Sequence, residues 1–286
     1  MAEEKKSNTA VEECTHDCSS CGASCSSRQA AVDPAAELRK QLNKIGKCFA
    51  VMSGKGGVGK SLVTCGLASA VNALGKTVAV IDADITGPSV PKAFGLKTQA
   101  RANELGIRPV ETPMGIKVMS LNLLVENETD PVVWRGSLIS NCAQQFYADV
   151  VWEEVDYMFV DMPPGTGDIP LTVLQQFKVD GIILVASPQD LVGMIVEKAA
   201  KMAKMMKIPI IAYVQNMSYF ICPNCSEKHY IFGEKDYKEI TAKYGIPFTF
   251  ELPIDKKYAA IMDKGNAEGL FEDFMPLAKD IVQLSE

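Results

Sequence analysis

The sequence predicts an α/β protein: a doubly wound, mostly parallel sheet with helices on both faces. Three observations predict it. Short, near-continuous apolar runs alternate with stretches of helical period, which suits strands buried on both faces. A glycine-rich loop joins the first such run to the helical stretch after it. Acidic residues follow two other runs directly, where a parallel sheet presents its carboxyl-terminal edge to ligands.

The elements follow in order. Residues 1–36 contain no Leu, Ile, Phe, Tyr or Trp. Such a segment cannot bury enough apolar surface to offset its chain entropy, so it is expected to be a flexible, cysteine-rich tail and a candidate metal-cluster site. Asp33-Pro34 reads as a helix start, with Pro at the first helical position, and the helix runs over 34–44. Residues 37–286 then form one domain. Strands are predicted at 48–53, 77–82, 115–121, 157–161, 181–187, 210–216 and 248–252. Helices are predicted at 61–74, 137–149, 169–177, 190–206, 234–244 and 270–284, with a cysteine-bearing insertion at 217–232. This alternation implies right-handed crossovers within one sheet.

Composition excludes more than it specifies. Of the 286 residues, 47% are apolar and 22% charged, ordinary for a globular protein. The net charge of −6 argues against bulk nucleic-acid binding and against a polybasic membrane anchor. No apolar run is long enough to span a bilayer, and the amino terminus has no secretory apolar region. The expectation is a cytoplasmic protein without membrane or nucleic-acid partners. In that reducing setting, nine unevenly placed cysteines read as metal ligands before disulfides.

The glycine-rich loop carries the chemistry. Gly54, Lys55, Gly56, Gly57, Val58, Gly59, Lys60 and Ser61 match G-x-x-x-x-G-K-[ST] in full. The glycines let backbone N–H groups converge on phosphate oxygens, and the following helix adds its positive dipole end. Lys60 is expected to reach the β- and γ-phosphates of ATP, and the Ser61 hydroxyl to ligate Mg²⁺. The competing reading is a glycine-rich turn that binds nothing. Asp82, Asp84 and Asp161 stand at strand ends, placed to hold Mg²⁺ and to position an attacking water, or else to cap turns. The segment 165–168 after two prolines reads as a flexible loop placed to sense the γ-phosphate.

The second lysine, Lys55, makes the loop KGGVGK, which resembles the deviant Walker A P-loop NTPases of the MinD/ParA group (SIMIBI-like). Within that group, residues 82–91, 161–168 and 215–225 closely resemble the Mrp/ApbC branch of iron–sulfur cluster carrier ATPases. The resemblance covers the chain from about residue 47 onward. It implies a homodimer in which Lys55 crosses to the partner's nucleotide, as an arginine finger does in trans. It implies that Asp84 orients the lytic water, that Asp82 and Asp161 serve the metal, that Asn216 contacts adenine, and that Pro253 and Asp255 lie against the base. It also implies a function: slow ATP hydrolysis coupled to assembly of 4Fe-4S clusters, received from an assembly donor and handed to apo iron–sulfur proteins. A MinD/ParA-like positioning ATPase and a zinc-bridged targeting ATPase are the rival readings.

Cys222 and Cys225 form a CxxC that places two thiolates on one side of a tight turn. A redox dithiol, an inter-subunit zinc site with His229 as an extra ligand, and a pair of inert buried thiols compete here. The resemblance implies one 4Fe-4S cluster bridging two subunits through these cysteines. Cys14, Cys18, Cys21 and Cys25 read C-x3-C-x2-C-x3-C, enough thiolates for one whole 4Fe-4S cluster or a closed zinc site. Cys48, Cys65 and Cys142 are isolated in strand or helix patterns and read as core. The methionine-rich stretch 201–207 alternates with lysines and reads as a half-buried helix with a solvated cationic edge.

Overall fold

The computed structural model describes residues 34–85, 87, 89–125, 136–188, 192–233 and 237–285. The tail cysteines Cys14, Cys18, Cys21 and Cys25 lie outside the described residues.

In chain order the elements are α1 (Pro34–Leu42), β1 (Lys44–Ser53), α2 (Lys60–Ala73), β2 (Val78–Asp82), α3 (Val90–Ala93), β3 (Arg101–Asn103), β4 (Gly106–Arg108), β5 (Val110–Glu111), β6 (Lys117–Met119), α4 (Gly136–Ala148), β7 (Glu154–Asp161), α5 (Asp168–Gln176), β8 (Gly181–Ala186), α6 (Val192–Met206), β9 (Ile210–Ile221), β10 (Lys228–His229), α7 (Lys238–Lys243), β11 (Phe248–Pro253), α8 (Lys256–Asp263) and α9 (Phe271–Ser285). The main sheet runs β5-β6-β2-β7-β1-β8-β9, with β11 parallel to β9 and β10 antiparallel to its far end. Its pairings are parallel except for β5–β6 and β9–β10. This is the doubly wound sheet the sequence predicts.

Strand alternation divides the interior in two. Phe49 and Val51 of β1 enter one core with Val63 and Leu67 of α2 and Phe274 and Ile281 of α9. Cys48, Ala50 and Met52 enter the other with Phe146 of α4, Val173 of α5 and Met202 of α6. Cys48, Cys65 and Cys142 are all buried, as expected. Burial pushes the Cys142 thiol up to about 11 and raises Cys48 and Cys65 well above the ordinary range. In α6, Met202 is buried between exposed Lys201 and Lys204, the half-buried arrangement expected of that stretch.

The structure departs from expectation at several element ends. α1 stops at Leu42 because Asn43 serves another segment: its Nδ2 donates to Val150 O, and its Oδ1 accepts from Trp152 N and Glu153 N. β7 begins at Glu154 rather than 157, because Lys44 extends β1 into register with Glu154. α8 went unpredicted; Asp255 caps it by accepting from Lys257 N at 2.8 Å. The β3–β4 hairpin went unpredicted too, and its turn is closed by Asn103 Oδ1, which accepts from Leu105 N and Gly106 N.

Candidate functional site

The phosphate loop leaves the carboxyl end of the central strand β1 and turns into α2. Gly59 caps α2 with a φ of 87°, a left-handed conformation that glycine adopts without steric cost. A second constraint acts on the same residue. Asn216 Nδ2 donates to Val58 O at 2.9 Å, and a Cβ on Gly59 would collide with that amide. The loop's start is fixed from below: Ser53 Oγ donates to Lys55 O at 3.0 Å, and Gly165 N donates to Ser53 O at 2.8 Å. The segment 165–168, expected to be flexible, is therefore pinned to the loop at Gly165, and Asp168 already opens α5.

Below the loop lies a compact charged cluster. Asp161, fully buried at the end of β7, accepts from Ser61 Oγ at 2.6 Å and from Thr64 Oγ1 at 2.7 Å. Lys60 Nζ stands 2.8 Å from Asp161 Oδ2 and 3.7 Å from Asp84 Oδ2. Burial works against the Lys60 charge, but Asp161, then Asp84 and Asp82, outweigh it and hold its pKa above the ordinary lysine value. Asp82, also fully buried, accepts from the backbone N–H groups of Asp84, Ser89 and Val90 and from Ser120 Oγ. Burial and then the Asp161 carboxylate push Asp82 up to about 8, against Lys60 and the Val90 N–H. Asp82 thus acts as a turn cap in this structure, while Asp161 and Ser61 set two oxygen donors side by side. That donor pair suits a hard divalent cation.

The cysteine pair sits at the far end of β9. That strand follows β8 only as far as Gln215, then continues beyond the sheet edge to Ile221. Between Gln215 and Tyr219 it bulges against β11, where Glu251 and Pro253 face those two residues. Met217, with a φ of 56°, marks the bulge. Bulges re-aim side chains near functional sites. Here the bulge sends Asn216 to the phosphate loop and Ser218 to Glu251 Oε1, 3.0 Å away. Gln215 Nε2 donates to Ser218 Oγ, and Tyr237 OH donates to the same Glu251 oxygen.

Past the bulge, β9 and β10 form a hairpin whose loop carries both cysteines. Cys222 N donates to Glu227 O, Ser226 N donates to Cys222 O, and Ser226 takes a φ of 60°. The N–H groups of Cys225 and Asn224, and then the Cys225 thiol, hold the Cys222 thiol below the ordinary cysteine value. Cys225 and His229 are exposed, and the ligating atoms of Cys222, Cys225 and His229 all lie within 4.8 Å of one another. Ile221, Ile231 and Phe232 are exposed around them.

The structure thus brings Lys60, Ser61, Asp84 and Asp161 together, sets Asp82 one layer below, and leaves Lys55 exposed at the loop's rim. Asn216 touches the loop itself. Pro253 ends β11 opposite Tyr219, and Asp255 caps α8. Thr64 and Ser120 went unread in the sequence. Helical spacing from Lys60 and Ser61 would have found Thr64 on the same face, whereas no local pattern marks Ser120.

These features define a class: a nucleotide-binding P-loop NTPase with the fold of the MinD/ParA group. The solved MinD cell division ATPase of Pyrococcus furiosus superposes with a TM-score of 0.61 at 17% identity, covering 84% of this chain and 99% of that one. A nucleotide-binding protein of Archaeoglobus fulgidus, solved in complex with ADP and with cobalt found in it, superposes with a TM-score of 0.72 at 44% identity, covering 82% of this chain and 92% of that one. The ParA family model described as the NUBPL iron-transfer P-loop NTPase matches residues 44–285, and the chain belongs to that family. A Methanocaldococcus jannaschii protein named iron-sulfur cluster carrier protein is 43% identical over 258 residues, 88% of this chain and 89% of its own length. Its namesake in Clostridium perfringens is 42% identical over 241 residues, 82% of this chain and 84% of its own length. Among the described residues no helix is long and apolar enough to cross a membrane.

Proposed function

We propose that the chain is a cytoplasmic, homodimeric carrier that assembles 4Fe-4S clusters on Cys222 and Cys225 and passes them to apo iron–sulfur proteins while binding and slowly hydrolysing ATP. One observation carries the proposal: a single strand links the two chemistries. β9 contacts the phosphate loop through Asn216 and, a few residues on, runs into the hairpin loop that carries half-buried Cys222 and exposed Cys225. A change in the loop on nucleotide binding acts on the strand that holds the cargo.

Residue roles follow from placement. The N–H groups of residues 54–61 and Lys60 bind the phosphates. Ser61 and Asp161 would hold Mg²⁺, with Asp82 behind them, and Mg²⁺ when bound neutralises phosphate charge. Asp84, beside Lys60, orients the attacking water. Lys55 is exposed, as a residue that reaches a partner's nucleotide has to be. Pro253 and Asp255, with Asn216, form the base side of the nucleotide site. Two thiols per chain leave a four-ligand cluster half satisfied, so a second copy completes it. The exposed apolar side chains around the hairpin give that copy a surface to cover. Cys14, Cys18, Cys21 and Cys25 provide a second, intrachain cluster site. The names of the relatives support this cargo over a positioning role, since the likeness to MinD at 17% identity concerns fold alone.

The test is anaerobic reconstitution with iron and sulfide in full-length chain whose four tail cysteines are replaced by serine. The expected product is one 4Fe-4S cluster per two chains. A Cys222→Ala, Cys225→Ala variant that retains as much cluster overturns the proposal.

A further inference from the structure

We propose that His229 joins Cys222 and Cys225 in a mononuclear site for a thiophilic divalent cation of the zinc class, held by one chain without a partner. Resting on the carrier reading above, we add that this ion competes with the cluster for the same two thiolates.

The hairpin register explains why the imidazole is there. Phe220 pairs with His229 and Ile221 with Lys228, while Cys222 N bonds Glu227 O. Residues directly opposite in an antiparallel pair share a face, and faces alternate along each strand. Cys222, Glu227 and His229 therefore share one face, and Tyr219, Lys228 and Tyr230 share the other. Contacts on the second face agree: Lys228 Nζ sits 4.1 Å above the Tyr219 ring, and Tyr219 packs edge-on against Tyr230. Register thus sets His229 diagonally across from Cys222. The tight turn 222–226 folds Cys225 back toward both, leaving its sulfur 3.7 Å from Glu227 Oε2.

The donor set is chemically complete for a single ion. Two thiolates cancel a divalent charge, and imidazole is a preferred ligand of zinc and cobalt. Ligand bonds of about 2.3 Å to sulfur and about 2.0 Å to nitrogen require donor separations of about 3.5–3.8 Å in a tetrahedron. The three donor atoms already lie within 4.8 Å, and Cys225 and His229 are exposed, so side-chain rotation closes the difference at small cost. The fourth position stays open to solvent. A bridging cluster needs two thiolates from each of two chains and has no use for the imidazole. Replacing ion by cluster therefore releases His229 and recruits a second copy.

Cobalt(II) is the probe, titrated anaerobically into full-length chain with the four tail cysteines replaced by serine. One ion binds per chain, with thiolate charge-transfer and tetrahedral ligand-field absorption. His229→Ala weakens Co²⁺ binding by about tenfold or more, with an unchanged melting temperature expected of an exposed residue. His229→Cys restores tight binding. One equivalent of Zn²⁺ added beforehand suppresses cluster uptake in the parent and much less in His229→Ala. Equal Co²⁺ affinity in parent and His229→Ala overturns the site, and so does one Co²⁺ per two chains. The carrier reading fails by a separate result, cluster uptake unchanged in the Cys222→Ala, Cys225→Ala variant.

Discussion

Asp82 receives donors from three backbone N–H groups and one hydroxyl, yet burial and the neighbouring Asp161 carboxylate push it up to about 8. In the unfolded chain an aspartate titrates near about 3.9. Between those values the native state holds a proton that the unfolded state has released. The contribution of Asp82 to the stability of the nucleotide-free protein therefore falls as pH rises through that range. Asp82→Asn removes this titration. Urea midpoints at several pH values in that range are predicted to fall in the parent relative to the variant, and a constant difference between the two would mean that Asp82 ionises at its ordinary pH in the fold. Single residues of this site were unequally legible. The P-loop match and the strand-end aspartates were plain in the sequence. That Asp161 serves Ser61, Thr64 and Lys60 while Asp82 serves a turn depends on contacts far apart in the chain, which no local pattern records.

At the scale of elements, α2 and α9 meet through a missing side chain. A Cβ on Gly66 would overlap the Phe274 ring, so the glycine sets how closely the two helices approach. Gly66→Ala gains helix propensity but forces the ring aside, and overpacking of this kind costs about 1–3 kcal/mol. Thermal and urea unfolding are predicted to show a net loss, and a variant as stable as the parent would mean that the ring yields freely. The strands were legible because their apolar runs are buried on both faces, and a long helix such as α9 because it sets a buried face against an exposed one. α8 was not, since most of its residues are exposed and its start is set by the Asp255 cap rather than by a hydrophobic face. The length of β9 was hidden for a related reason. Beyond Gln215 it leaves β8, polar Asn216 and Ser218 interrupt its apolar run, and Phe220 and Ile221 are exposed.

At the largest scale, the main sheet continues through β9 into the hairpin that carries the CxxC. Two cores fix β1, β2 and β7, whose carboxyl ends carry the phosphate loop and the acidic cluster. β9 runs on past that edge toward the thiols, through a bulge whose Asn216 touches the loop. The sequence showed both motifs, but their connection along one strand emerged only from register and the Asn216 contact. On the proposed function, this hairpin carries a transferable cluster. It is tested by the anaerobic rate at which reconstituted protein, its four tail cysteines replaced by serine, restores activity with ATP and Mg²⁺ to an apo enzyme that needs a 4Fe-4S cluster. Efficient restoration is expected with Cys222 and Cys225 in place, and a loss of about tenfold or more in the Cys222→Ala, Cys225→Ala variant. Restoration by that variant at the parent's rate would contradict it.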